Sequence, residues 1–105
     1  MMIVALVEHF FNAAGREAFP TWIQSIGDTA SRFPGFSDIR QMTRVDDPER
    51  CFFLLSFESP EQLQSWVASS ERIALLDQMA AFRLKKEEGV RWLVGEHWAP
   101  IPNNG

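Results

Sequence analysis

Along this chain the spacing of apolar residues changes from segment to segment, and each change marks an element. Ile3 to Phe10 is apolar except for Glu8 and His9, with Ile3, Ala5 and Val7 on one face and Val4, Leu6 and Phe10 on the other. A strand apolar on both faces is one that is covered on both. After the short connection Asn12-Ala13-Ala14-Gly15, the positions Phe19, Trp22, Ile23, Ile26, Ala30 and Phe33 recur at helical spacing and predict an amphipathic helix. Proline is tolerated near a helix start, so Pro20 places the beginning between Glu17 and Phe19, and Pro34-Gly35 ends the helix. From Phe36 to Val45 the pattern alternates. Ile39, Thr43 and Val45 share one face, Asp38, Arg40 and Arg44 the other, as in a half-exposed edge strand.

Asp46-Asp47-Pro48-Glu49 turns the chain into Cys51–Phe57, a nearly unbroken apolar run that reads as a strand covered on both faces. Ser59-Pro60-Glu61-Gln62 then carries the marks of a helix start: a capping hydroxyl, a proline at the first position, an acid at the positive end and a glutamine to close a capping box. Leu63, Trp66 and Val67 form that helix's apolar face. Ser69-Ser70-Glu71 interrupts or re-caps it, and a further helical stretch carries Ile73, Leu75, Leu76, Met79 and Phe82. Gly89 leads into a last strand over Val90–Val94 that ends near Trp98, and the residues after it form a loose tail. The order is β-α-β-β-α-β with a split second helix, a ferredoxin-like α+β fold in one domain over residues 1–105, its core about 3–98. Helices cover only one face of such a sheet. The apolar second face of the first and third strands therefore predicts a homodimer, two sheets packed face to face as a shared barrel.

Composition narrows the function classes. A net charge of −4 with no basic cluster argues against a nucleic-acid partner. The N-terminal apolar run is too short to span a bilayer and lacks a basic leader, so neither a membrane nor an export signal is expected, and a cytoplasmic location is. The single cysteine, Cys51, lies inside an apolar strand and reads as a small buried residue in a reduced compartment rather than as a nucleophile. No phosphate-binding glycine loop, dinucleotide fingerprint or metal-ligand cluster is visible. His9 and His97 stand at opposite ends of the chain and would meet only if the first and last strands pair.

With that element order in place, several local sequences resemble the antibiotic-biosynthesis-monooxygenase superfamily of small dimeric α/β-barrel proteins. These are Phe19-x-x-Trp22, Phe33-Pro34-Gly35-Phe36, Phe57-x-Ser59 and, above all, Trp66-Val67-Ala68-Ser69-Ser70-Glu71-Arg72, which is similar to a Trp-x-x-Ser-x-x-Arg pattern of one bacterial branch. The resemblance runs from about Ile3 to Trp98 and implies cofactor-independent oxygen chemistry on a phenol or quinol that itself supplies the electrons. Such a site needs an apolar pocket for a ring and a few polar groups that favour its deprotonated form. Arg72 is the candidate to pair with the ring oxygen, its alternative being a surface ion pair with Glu71 or Asp77. His9 is the candidate proton acceptor, its alternative a hydrogen-bonded structural histidine. Trp66 is a candidate pocket wall or a core tryptophan, and His97 a further candidate substrate contact. Trp22, Trp92 and Trp98 are assigned to packing or the dimer interface, Trp22 being kept also as a substrate contact. The chain has no tyrosine, so no phenolic side chain takes part. The haem-degrading branch of the same superfamily is the enzymatic rival; it pairs the tryptophan with a haem-ligating histidine where this chain has Leu76, and an asparagine where it has Glu8. A binding or purely structural dimer is the non-enzymatic alternative.

Overall fold

The two apolar runs that dominate the sequence lie side by side in the middle of one antiparallel sheet. The computed structural model describes residues 2–43, 45–47, 50–84 and, as backbone, 89–95. Its strands are β1 (Met2–His9), β2 (Phe36–Met42), β3 (Cys51–Phe57) and β4 (Gly89–Gly95), and its helices are α1 (Ala13–Ala30), α2 (Pro60–Val67) and α3 (Ser70–Gln78), with a 3-10 turn over Ala80–Phe82. The sheet order is β2-β3-β1-β4, so β1 and β3 are central and β2 is an edge, as the hydrophobic pattern requires. Register runs from Ile3 opposite Phe57 to His9 opposite Cys51. Because side chains alternate along a strand, Ile3, Ala5, Val7 and His9 share one face with Cys51, Phe53, Leu55 and Phe57. That face meets the helices. Phe19, Trp22, Ile23 and Ile26 of α1, Leu63 and Trp66 of α2, and Leu75 of α3 are buried against it.

Among the described residues no helix lies on the other face. Leu6, Phe52 and Leu54 alternate onto it and are half-buried. At its end Arg50 Nε donates to Glu8 Oε2 at 2.9 Å, and the guanidinium lies 5.3 Å from the centre of the Phe10 ring.

Three boundaries depart from the sequence pattern. Helix α1 starts at Ala13, one turn before the expected Glu17–Phe19. Asn12 is its cap, accepting the Gly15 N–H on its side-chain oxygen at 2.9 Å. Pro20 therefore sits in the helix interior, on the exposed side, and withholds the hydrogen bond that the Arg16 carbonyl would otherwise receive. An interior proline costs about 3 kcal/mol, yet the helix runs through it because the Asn12 cap and the buried stripe from Gly15 to Ala30 hold both sides. Gly15 serves this corner: a Cβ there would stand 2.7 Å from the Cβ atoms of both Phe11 and Phe82. At its other end α1 stops at Ala30 rather than Phe33, and the chain tightens through Phe33 N–H to the Ala30 carbonyl at 2.9 Å. Strand β2 stops at Met42, opposite Phe52 near the start of β3, and Thr43 and Val45 lie beyond it; both are exposed.

The second helix is split as expected. Ser59 Oγ accepts the Gln62 N–H at 3.3 Å and donates to Gln62 Oε1 at 3.1 Å, closing the start of α2 through the predicted pair. Ser69 Oγ caps α3 by accepting the Arg72 N–H at 3.1 Å and donates to the Trp66 carbonyl at 2.7 Å, which welds the two helices at their junction.

Gly35 is the residue on which the α1–β2 turn depends. Its φ of 84° lies in the left-handed region, and a Cβ there would collide with the Gln62 side chain. The left-handed conformation costs a non-glycine residue about 1–2 kcal/mol, before any displacement of Gln62. Gly35→Ala is expected to lower unfolding stability by at least that amount in a urea titration, and an unchanged midpoint would contradict the turn geometry.

Candidate functional site

Between the helical layer and the central strands lies a small cavity of about 30 Å³. Its floor is Ala5 and Val7 of β1 with Phe53 and Leu55 of β3; its walls are Trp22 and Ile26 of α1, Trp66 and Val67 of α2, and Arg72, Leu75 and Leu76 of α3, with His9 at one end. Four of the five side chains that the sequence singled out, His9, Trp22, Trp66 and Arg72, thus converge from four different elements. The fifth, His97, and the tryptophan Trp98 lie outside the described residues, and of Trp92 only the backbone is described. A wider depression of about 360 Å³ at Thr29, Arg32, Phe33, Pro34 and Glu71 is open to solvent, with its charged groups exposed.

His9 is 2% exposed. Its ring stacks on Phe11 at 5.3 Å and meets the edge of Trp22 at 5.2 Å. Burial among these rings, and then the positive charges of Arg83 and Arg72, push its pKa down to about 4. The imidazole is therefore neutral at pH 7 and offers one donor and one acceptor. Cys51, its partner across the strands, is buried as well, and desolvation raises its thiol pKa despite the opposing charge of Arg16. The thiol therefore stays protonated at neutral pH. Among the described residues no three His, Cys, Asp or Glu side chains gather to hold a metal ion.

Trp22 does more than fill space. Its indole Nε1 donates to the Leu75 carbonyl at 2.8 Å, a buried bond from α1 to α3. That carbonyl is available because Met79 N–H turns to the Leu76 carbonyl at 3.1 Å as α3 tightens into the 3-10 turn. Trp66 is 2% exposed and meets Phe33 edge to face at 5.2 Å. Arg72 lies at the cavity rim, where its Nη1 donates to the Val67 carbonyl at 3.2 Å. Sequence reasoning missed Arg83, whose charge acts on His9, and the rim residues Val67 and Leu76. Arg83 reaches the site through an isolated bridge to Phe11, which no local pattern announces.

No family model matches the sequence, and no curated protein matches it either. Solved structures do. A candidate antibiotic biosynthesis monooxygenase of Nitrosomonas europaea superposes with a TM-score of 0.79 at 17% identity, over 91% of each chain. Rv0793 of Mycobacterium tuberculosis gives 0.77 at 11% identity, over 95% of this chain and 100% of that one. SnoaB, a cofactor-independent oxygenase of Streptomyces nogalater, gives 0.76 at 11% identity, over 95% and 98%. At such identities the likeness establishes the fold, and the fold is the ferredoxin-like α+β arrangement expected from the order of elements along the chain.

The depressed pKa of His9 has a consequence for stability. Between pH 6.5 and about 4 the unfolded chain binds a proton at His9 that the folded protein refuses, so stability falls as pH falls through that window. The loss approaches roughly 3 kcal/mol at the lower end, from the width of the shift. Urea midpoints measured from pH 7 to 4.5 are expected to drop more steeply for the wild type than for His9→Leu. Equal slopes would mean that His9 titrates normally.

Proposed function

We propose that the cavity is the binding site for a flat phenol or quinol, which the protein holds as its anion for oxidation by dioxygen without flavin or metal. The observation that carries this reading is the convergence of one guanidinium and one neutral imidazole in a cavity otherwise walled by aromatic and aliphatic side chains. The described fold of SnoaB, a cofactor-independent oxygenase, supports it.

The stoichiometry closes without a reductant. A phenol with a free ring position reacts with one dioxygen to give a quinone and one water: one oxygen atom enters the ring, the other leaves as water, and all four electrons come from the substrate. Arg72 would stabilise the phenolate by a charge-assisted hydrogen bond, and Trp66 and Trp22 would hold the ring. His9 suits a hydrogen bond to the ring oxygen better than storage of its proton, since a base with a pKa of about 4 accepts a proton weakly. The charges of Arg72 and Arg83 that disfavour imidazolium also favour a phenolate, whereas burial acts against either ion.

Size is the constraint on this reading. Cavities that bind benzene are about 150 Å³, and the present one is about 30 Å³, so a ring enters only if the helical wall gives way. That same figure favours the second reading, a structural dimer whose interior is filled by its own side chains. A second copy of the chain belongs to both. The sheet face on which no described helix lies, with Leu6, Phe52 and Leu54 half-buried, would pack against its equivalent.

Two measurements test these statements. Oxygen uptake with a panel of naphthol- and anthrone-type substrates, in the presence of chelator, is expected to rise with pH through the pKa of the bound substrate. Arg72→Ala should reduce kcat/KM about ten- to hundredfold, the loss of one charged hydrogen bond of about 1.5–3 kcal/mol. Neither binding nor uptake across the panel would leave the structural reading in its place. Sedimentation at micromolar concentration should give twice the chain mass, and a folded monomer there would remove the dimer.

A further inference from the structure

Three residues of the cavity lining are only half-buried, Val67, Arg72 and Leu76; the other lining residues are sealed from solvent. These three mark the mouth, and two of them are bonded to each other. Arg72 Nη1 reaches from the first turn of α3 to the Val67 carbonyl in the last turn of α2, at 3.2 Å. On the deep side α3 is held differently, by the buried indole of Trp22 on the Leu75 carbonyl at 2.8 Å. Ser69 fixes the corner between α2 and α3; beyond that corner the helix has an inner tie between neutral groups and an outer side-chain tie made by a cation at a partly solvated rim.

We propose that the Arg72–Val67 contact is a latch across the mouth, which an anionic ring opens by taking over the guanidinium. This rests on the reading that the cavity binds an aromatic anion. The Val67 carbonyl offers Arg72 only a dipole, whereas a phenolate or sulfonate brings a full negative charge, and that attraction is stronger away from bulk water, so the anion outcompetes the carbonyl for Arg72. A neutral ring has nothing to offer in exchange. At about 30 Å³ the latched cavity admits little more than a water molecule, so opening precedes or accompanies any binding of a ring. Recognition of the ligand's charge and access to the cavity are then one event. The Trp22–Leu75 tie stays in place, and α3 pivots on its inner side.

The test uses two probes of one ring size, naphthalene-2-sulfonate and 2-methylnaphthalene, followed by stopped-flow tryptophan fluorescence. The wild type should bind the sulfonate saturably and take up the neutral ring at least tenfold more slowly. In Arg72→Ala the sulfonate Kd should rise tenfold or more, while the neutral ring associates at least tenfold faster than with the wild type. Weakened sulfonate binding with no gain in neutral-ring rate overturns the latch and leaves the anion-binding reading standing. Failure of the sulfonate to bind the wild type removes both. Unchanged sulfonate affinity in the variant also removes the latch. Arg72→Met keeps the bulk of the side-chain stem and replaces the alanine variant if circular dichroism shows that the latter does not fold.

Discussion

The register of β1 on β3 decides which side chains face the cavity. With Ile3 opposite Phe57 and His9 opposite Cys51, the imidazole faces the helices and the Glu8 carboxylate faces the opposite side of the sheet. A slip of one residue exchanges them. An anionic carboxylate would then stand under the helical layer where the neutral imidazole is, and His9 would face away from Arg72 and Trp22. The register is strongly specified because both strands present large side chains to the helices at alternate positions, with Phe53, Leu55 and Phe57 each 3% exposed or less. The pairing of Glu8 with Arg50 on the open side reinforces the same alignment.

On that sheet the helices are positioned by a few polar bonds at their ends. Ser59, Ser69 and Asn12 set where each helix begins, and the Trp22 indole sets how close α3 comes to α1. The last of these uses a carbonyl that the end of a helix leaves over, one of the four that every α-helix must satisfy outside itself. Replacing the bond would leave a buried acceptor unsatisfied, a loss of about 1–3 kcal/mol, so the spacing between the two helices is stiff where they are buried. At the α2–α3 junction the bonds of Ser69 and Arg72 are partly solvated instead.

Much of this could be read from residue order because the signals are local. The capping residues Ser59 and Ser69 act within three positions of themselves, and the apolar run Cys51–Phe57 announces a central strand by its own length. The start of α1 could not be read the same way. Pro20 suggested a helix beginning, but the cap at Asn12 and the close contact of Gly15 with Phe82 depend on a segment far along the chain. The end of β2 could not be read either, because its alternation continues through Val45 whereas its pairing with β3 ends at Met42. Of the residues lining the cavity, His9 was singled out by its residue type and Trp66 and Arg72 by family-like spacing. The Trp22 indole's partner is a backbone carbonyl, which carries no side-chain signature, and Arg83 acts through space.

Cys51 adds one consequence. It is the chain's one thiol, it lies 6% exposed at the end of β3 beside His9, and its raised pKa keeps it unreactive while it remains there. A thiol-specific reagent can reach it only when that end of the sheet and its helical cover part. The rate of its modification therefore counts local opening events in an unlabelled, unmutated protein. The fold thus carries its own clock for the opening of that end of the sheet.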